Sequence, residues 1–237
     1  MKTMLLTGTT QGIGAAMYHR FKDQYHVVTI NRREAEGDNI LCDLADVEQV
    51  ERVCKRLGGM EIDILINNAG GALPSPFPDL DIGALQTCTN LNYHGPVLLM
   101  QAVLAGMKDR GYGRIVNISS IASKSPRPLI PHYGASKAAL ECFSKSMAVA
   151  YGGANITINN VCPGGVATAT SLGNRRTIAR LSGKEENTFN RSMAENNGLN
   201  RMVREEEIVD AVAFFISPQA DAISGQTLNI CGTTEVH

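Results

Sequence analysis

Short apolar runs alternate with helix-length segments along all 237 residues of this chain, and that rhythm leaves few folds open. Met4 to Thr7, His26 to Ile30, Ile40 to Cys42, Ile62 to Ile66, Ile115 to Ile118, Ile156 to Val161 and Thr227 to Ile230 read as strands. Helical patterns fit about Ile13 to Lys22, Val47 to Leu57, Ile82 to Lys108, Tyr133 to Tyr151 and Glu205 to Ile216. Each has the length of a crossover between parallel strands, and a parallel sheet needs helices on both faces. The expected fold class is α/β: a single domain over residues 1–237, a Rossmann-type doubly wound sheet of about seven parallel strands. In such a sheet the ligand crevice lies beyond the strand C-termini, so residues that follow strands carry the functional signal.

No repeat, low-complexity segment or Pro/Gly-rich linker divides the chain. Charged residues are 19% of the total and the formal net charge is -1, so no basic field exists to hold nucleic acid or an anionic membrane. The first glycine comes too soon for a signal peptide, and no stretch of about 18 apolar residues follows. A cytoplasmic protein acting on a small molecule is expected. The six cysteines are scattered, without a C-x-x-C pair or clustered histidines, and are expected to be reduced, mostly buried, and not ligands of a metal. One stretch, about 166–201, breaks the rhythm: it is polar and joins a strand to a late helix. A connection of that length points to a substrate lid, with a mobile surface insertion as the plainer reading.

Directly after the first strand comes Thr7-Gly8-Thr9-Thr10-Gln11-Gly12-Ile13-Gly14, which runs into the first helix. Gly8 permits a tight turn, Gly12 lets backbone approach a pyrophosphate, and Gly14 allows close helix packing. The helix N-terminus adds unpaired N–H groups and positive potential. A dinucleotide fits that corner. At the end of the second strand, a carboxylate would bond the ribose 2′-hydroxyl of NAD and repel the 2′-phosphate of NADP. Here the residues are Ile30-Asn31-Arg32-Arg33, and Arg32 offers a planar charged donor set suited to phosphate. NADP(H) is preferred, with NAD(H) as the alternative if Arg32 is a solvated residue or is held by Glu34.

Tyr133 and Lys137 stand four apart at a helix start, on one face. A tyrosine with an ordinary pKa of about 10 exchanges protons poorly near neutrality unless something stabilises its phenolate, and a neighbouring lysine ammonium does so.

The glycine spacing T-G-x-x-x-G-x-G resembles that of the short-chain dehydrogenase/reductase family. The likeness continues through Asn67-Asn68-Ala69-Gly70, Asn92, Ser120, Tyr133-x-x-x-Lys137 and Pro163-Gly164 in order, and extends to its 3-oxoacyl-carrier-protein reductase-like members. The resemblance implies hydride transfer between nicotinamide and a carbonyl or secondary alcohol, with Tyr133 as general acid/base and Lys137 beside it. Ser120 would hold the substrate oxygen, its neighbour Ser119 pointing the other way along the strand. Asn92, rather than Asn90, would join Lys137 to a proton relay through a water. Asp43, in Cys42-Asp43-Leu44, would meet the adenine or else serve a turn, and Asn68, Ala69 and Gly70 would lie along the ribose. Pro163, Gly164, Val166 and Thr168 would approach the nicotinamide, with Thr170 as a rival to Thr168. His94 is expected on a helix surface and His132 at the pocket rim. Arg127 and the lid arginines leave open an acidic or carrier-bound substrate. A homotetramer or homodimer is implied. The competing functions are an NAD-dependent alcohol dehydrogenase and a non-catalytic NADP(H)-binding sensor.

Overall fold

The computed structural model describes residues 1–235. The elements in order are β1 (Thr3–Thr7), α1 (Gly12–Phe21), β2 (His26–Asn31), β3 (Asp38–Leu41), α2 (Val47–Leu57), β4 (Ile64–Asn67), α3 (Ile82–Thr89), α4 (Gly95–Arg110), β5 (Gly113–Ile118), α5 (Pro131–Tyr151), β6 (Ile156–Pro163), α6 (Ala169–Leu181), α7 (Glu186–Glu195), α8 (Glu205–Ile216) and β7 (Thr227–Ile230). The seven strands form one parallel sheet in the order β3-β2-β1-β4-β5-β6-β7, as the βαβ rhythm requires. The order reverses between β1 and β4, so their C-terminal ends part to open a crevice.

Two apolar layers cover the sheet. On one face Leu5, Val28, Leu65, Ile115 and Ile158 pack against α2, α4 and α5; on the other Met4, Leu6, Ile64, Ile66 and Val116 pack against α1 and α8. Alternate residues of one strand serve opposite layers, which is why β1 and β4 read as unbroken apolar runs. Cys42, Cys88, Cys162 and Cys231 are buried, Cys54 is half-buried and Cys142 is exposed, and all six are free thiols.

Two expectations need correction. The helix expected from Ile82 to Lys108 is interrupted at Asn90–His94 by a wider turn of π type. Pro96 has no N–H to continue the ladder, and the Asn92 amide bonds the Cys88 carbonyl at 2.8 Å, so both loosen the helix there. The segment 166–201, expected as a substrate lid and given no helix, contains α6 and α7. Thr168 caps α6 by accepting from the Ser171 N–H at 3.1 Å, and Glu185 caps α7 through the N–H groups of Asn187 and Thr188. Only Arg175 and Ala179 of α6 are buried and none of α7, so neither helix shows the apolar stripe by which a core-facing helix is read from sequence.

Candidate active site

The glycine loop is built from the backbone outward. Gly8 has φ +74°, and a Cβ there would lie 2.9 Å from the Ala69 Cα; Gly12 has φ +60° and faces the Thr168 side chain. Gly14 sits under the Gly8 carbonyl and the Asn68 amide, where any Cβ would collide. Asn68 donates to the carbonyls of Thr7 and Gly8 at 2.9 and 3.0 Å, so its side chain is spent on holding the loop. Asn31 does the same from the other side, accepting from the Thr9 N–H at 2.6 Å and donating to the Thr9 hydroxyl and to Asn39. Asn31 and Asn68, expected as ligand contacts, thus act on the loop through their amides while still bordering the cleft. With Thr9 pinned inside, Thr10 and Gln11 are turned outward, and Gln11 hydrogen-bonds Thr170 across the cleft mouth.

The first turn of α1 has no capping side chain and no acidic residue, in contrast to α2, which has Asp46 as cap and Glu48 behind it. N–H groups at the α1 N-terminus are therefore free for an anion. At the end of β2 Arg32 is 69% exposed, with Asp43 at 3.9 Å rather than Glu34 as its acidic neighbour. Asp43 itself accepts from the Ala45 N–H at 3.0 Å, the turn role weighed for it, and Leu44 is buried beneath Gly95.

Tyr133 and Lys137 project from the first turns of α5, which opens with Pro131, a residue suited to an N-terminal position because its missing N–H is one the helix does not use. Lys137 is 2% exposed, and its Nζ donates to the Ile118 carbonyl at 2.7 Å and lies 5.9 Å from the Tyr133 ring centroid. Burial draws the ammonium down to about 8, with Cys88, Cys162 and Glu141 opposing the shift. Burial also pushes the Tyr133 phenol up to about 12, against a hydrogen bond to the Ser120 side chain. Ser120 accepts from the Ala122 N–H at 3.2 Å. Ser119 points the other way, as strand alternation predicts, and donates to Glu141.

Asn92 is fully buried: its amide donates to the Gly71 carbonyl at 2.9 Å, and its Oδ1 accepts from the Gly71 N–H at 3.0 Å. A Cβ on Gly70 would meet Asn92 Oδ1 at 2.8 Å and Lys137 Nζ at 3.0 Å, so the two groups converge on that glycine. Asn90, the decoy, bonds the Ala45 carbonyl and His94. His94 is exposed as expected. His132 is not a rim residue: it is 4% exposed, and burial lowers its pKa against the opposing pull of the Leu73 backbone. Its place on the inward side of α5 follows from the helix phase, which the position before Tyr133 alone does not reveal.

The glycine loop, Arg32, Asp43, Ser120, Tyr133 and Lys137 share one cleft of about 1060 Å³. It runs from the glycine loop and Arg32, past Gly70, Ser120, Tyr133 and Lys137, to Gly164 and Val166 below α6 and α7. Thr168, 9% exposed, borders it with its hydroxyl engaged as the α6 cap, and Thr170 meets Gln11 instead. Arg127 lines the cleft from an exposed position.

Sequence reasoning missed one buried charge beside the cleft, Glu141, and named another, Arg175, only as one of the lid arginines open to an anionic group. Glu141 accepts from Ser119 and, at 2.6 Å, from Ser123, bracketing Ser120; Arg175 is 5% exposed on α6. Glu141 could have been found as the acid one turn beyond Lys137 on the same helix face. Among the lid arginines nothing in the sequence set Arg175 apart.

Residues 2–178 match the short chain dehydrogenase family. The chain belongs to that family. L-xylulose reductase of Mesocricetus auratus is 31% identical, covering 96% of this chain and 94% of its own length. Dehydrogenase/reductase SDR family member 4 of Homo sapiens is also 31% identical, over 98% of this chain and 87% of its own. Among solved structures, a variant of actinorhodin polyketide ketoreductase with NADPH matches with a TM-score of 0.92 at 28% identity, over 100% of this chain and 98% of the other. The aldohexose dehydrogenase of Thermoplasma acidophilum in ligand-free form matches at 0.87 and 26%, over 98% and 93%. As a short chain dehydrogenase the protein is an oxidoreductase by family, and its seven-stranded sheet is the arrangement its solved relatives share.

Proposed function

We propose that this short chain dehydrogenase is an NADP(H)-dependent ketoreductase that interconverts a small carbonyl compound and its secondary alcohol, with Tyr133 as the proton donor and acceptor. The observation that carries the reading is the meeting of Tyr133, Ser120 and Lys137 in the one cleft that starts at the glycine loop.

The residues fit a dinucleotide. Backbone at Gly8, Gly12, Ile13 and Gly14, with Thr10 and Gln11, would hold the pyrophosphate at the uncapped α1 terminus. Asp43 and Leu44 would border the adenine, and Ala69 and Gly70 the ribose, all four lining the cleft. Pro163, Gly164, Val166 and Thr168 would border the nicotinamide. Arg32 supports NADP(H): the residues ending β2 carry no carboxylate, and the guanidinium is exposed toward the cleft. The ketoreductase relative solved with NADPH supports the same preference.

When bound, the nicotinamide supplies or takes up the hydride. The protein's part is to position the carbonyl and move one proton. Ser120 donates to the substrate oxygen and holds it against the Tyr133 hydroxyl, which passes its proton to that oxygen as negative charge develops. Lys137 favours the resulting phenolate electrostatically. Asn92, fixed by its bonds to Gly71, holds the far side of the Gly70 face where a relay water would join Lys137. The helices α6 and α7 act as a lid over residues 166–201, excluding water from the cleft.

Steady-state kinetics with NADPH and NADH and a panel of ketones test the cofactor assignment. KM for NADPH is expected to be at least tenfold below that for NADH, and Arg32→Ala is expected to narrow the gap. A preference for NADH would overturn the NADP(H) assignment.

A further inference from the structure

Arg175 is the one arginine of the 166–201 segment that is drawn inside. Arg176 pairs with Glu186 at the surface, and Arg180 and Arg191 are exposed. Arg175, by contrast, is 5% exposed, lines the cleft, and among the described residues makes a single hydrogen bond, from its Nη2 to the Val166 carbonyl at 2.7 Å. Among the described residues no carboxylate lies within ion-pair distance of it, and burial alone acts on its pKa, lowering it. A guanidinium stays protonated in proteins and has five N–H donors, so Arg175, with one protein acceptor and no counter-charge beside it, keeps donors that can turn to a ligand in the cleft. Holding the Val166 turn would need only a neutral donor.

The position of Arg175 narrows what satisfies it. Thr168, at the N-terminus of α6, faces Gly12 and the phosphate corner, and Arg175 is seven residues further along, about 10 Å of helix rise away. Its anchor, Val166, belongs to the turn after β6 rather than to the glycine loop. The lining that α6, α7 and their connection add is mixed: Ile178, Phe189 and Met193 are apolar, while Asn174, Ser192 and the exposed Lys184 are polar. Arg175 is the buried cation of that wall. One such cation balances one negative charge, and a planar carboxylate matches the guanidinium fork.

We propose that Arg175 is the receptor for a carboxylate on the substrate, so that this enzyme takes oxo acids with an apolar chain between carboxylate and carbonyl. The proposal rests on the ketoreductase reading for the location of the carbonyl. Its test is an equilibrium measurement that needs no turnover.

Levulinate, 5-oxohexanoate and 6-oxoheptanoate, each paired with its methyl ester, are titrated by calorimetry into the NADP+-loaded protein, which cannot reduce a ketone. A charge-assisted bond in a buried site predicts that at least one acid binds about 10-fold or more tightly than its ester. Oxidised nicotinamide favours any anion, so the deciding contrast is with the variants. Arg175→Met is expected to bring the acid-to-ester ratio to within about 2-fold of one, and Arg175→Lys to keep an intermediate ratio. Equal binding of acid and ester in every pair overturns the proposal. So does discrimination that survives in Arg175→Met, or weakened NADP+ binding with an unchanged ratio, which would assign Arg175 to the cofactor. If Arg175→Met fails to melt cooperatively, the wild-type ratio and Arg175→Lys decide. Absence of NADPH oxidation with any ketone would count against the ketoreductase reading and leave these ratios to judge Arg175 separately.

Discussion

Lys137 shows the conflict between stability and chemistry most directly. In the unfolded chain its amine keeps a proton up to its ordinary value of 10.5, but in the fold only up to about 8. Between those values the unfolded state binds more protons, so stability rises with pH; below about 8 both states are protonated and the full cost of burying the ammonium stands. Lys137→Met is therefore expected to raise the thermal midpoint at pH 7. The interval is worth up to roughly 3 kcal/mol, less about 1 kcal/mol for the lost bond to the Ile118 carbonyl. The gain should shrink from about pH 8, reach zero near roughly pH 9.5 and become a small loss by 10.5, while activity falls at every pH. Thermal melts of both proteins across that range check it; a variant less stable at pH 7, or a gain indifferent to pH, would contradict this account. Reduction should decline on the alkaline side of about pH 8 as Lys137 loses its charge, since Tyr133 keeps its proton to about 12.

At the scale of elements, strands and most helices were legible because each carries a periodic apolar signal: α2, α8 and β7 match their expected limits residue for residue. The site was legible because its residues sit where strands end, as Ser120 does after β5. What escaped lies where side chains override the ladder or where no stripe exists. The turn at Asn90–His94 depends on Asn92 bonding Cys88, a tertiary fact with no local pattern. The helices α6 and α7 rest over the cleft rather than on the sheet, so their polar sequences read as loop. The amides of Asn31 and Asn68 stand at the expected corner and bond the glycine loop itself, because spacing fixes where a residue stands and not which neighbour its side chain finds first.

At the scale of the whole molecule, α5 carries apolar residues that the core buries only in part. On α5, Phe143 and Met147 pack partly against the core while Val149 is 88% exposed, and the family resemblance implies that such a face is covered by another copy of the chain. Light scattering at working concentration is expected to give a tetramer or dimer, and a monomer would refute that expectation. Among the described residues no helix is long and apolar enough to cross a membrane. The central claim, that the fold brings Tyr133 to a carbonyl beside bound NADPH, is tested most directly by mixing the NADPH-loaded protein with a ketone panel and following NADPH absorbance, for the native chain and for Tyr133→Phe. The account predicts NADPH oxidation by the native protein and a loss of about 100-fold or more in Tyr133→Phe, the scale of a lost general acid, with NADPH still bound. Equal rates for the two proteins, or NADPH binding without oxidation by any ketone, would contradict it.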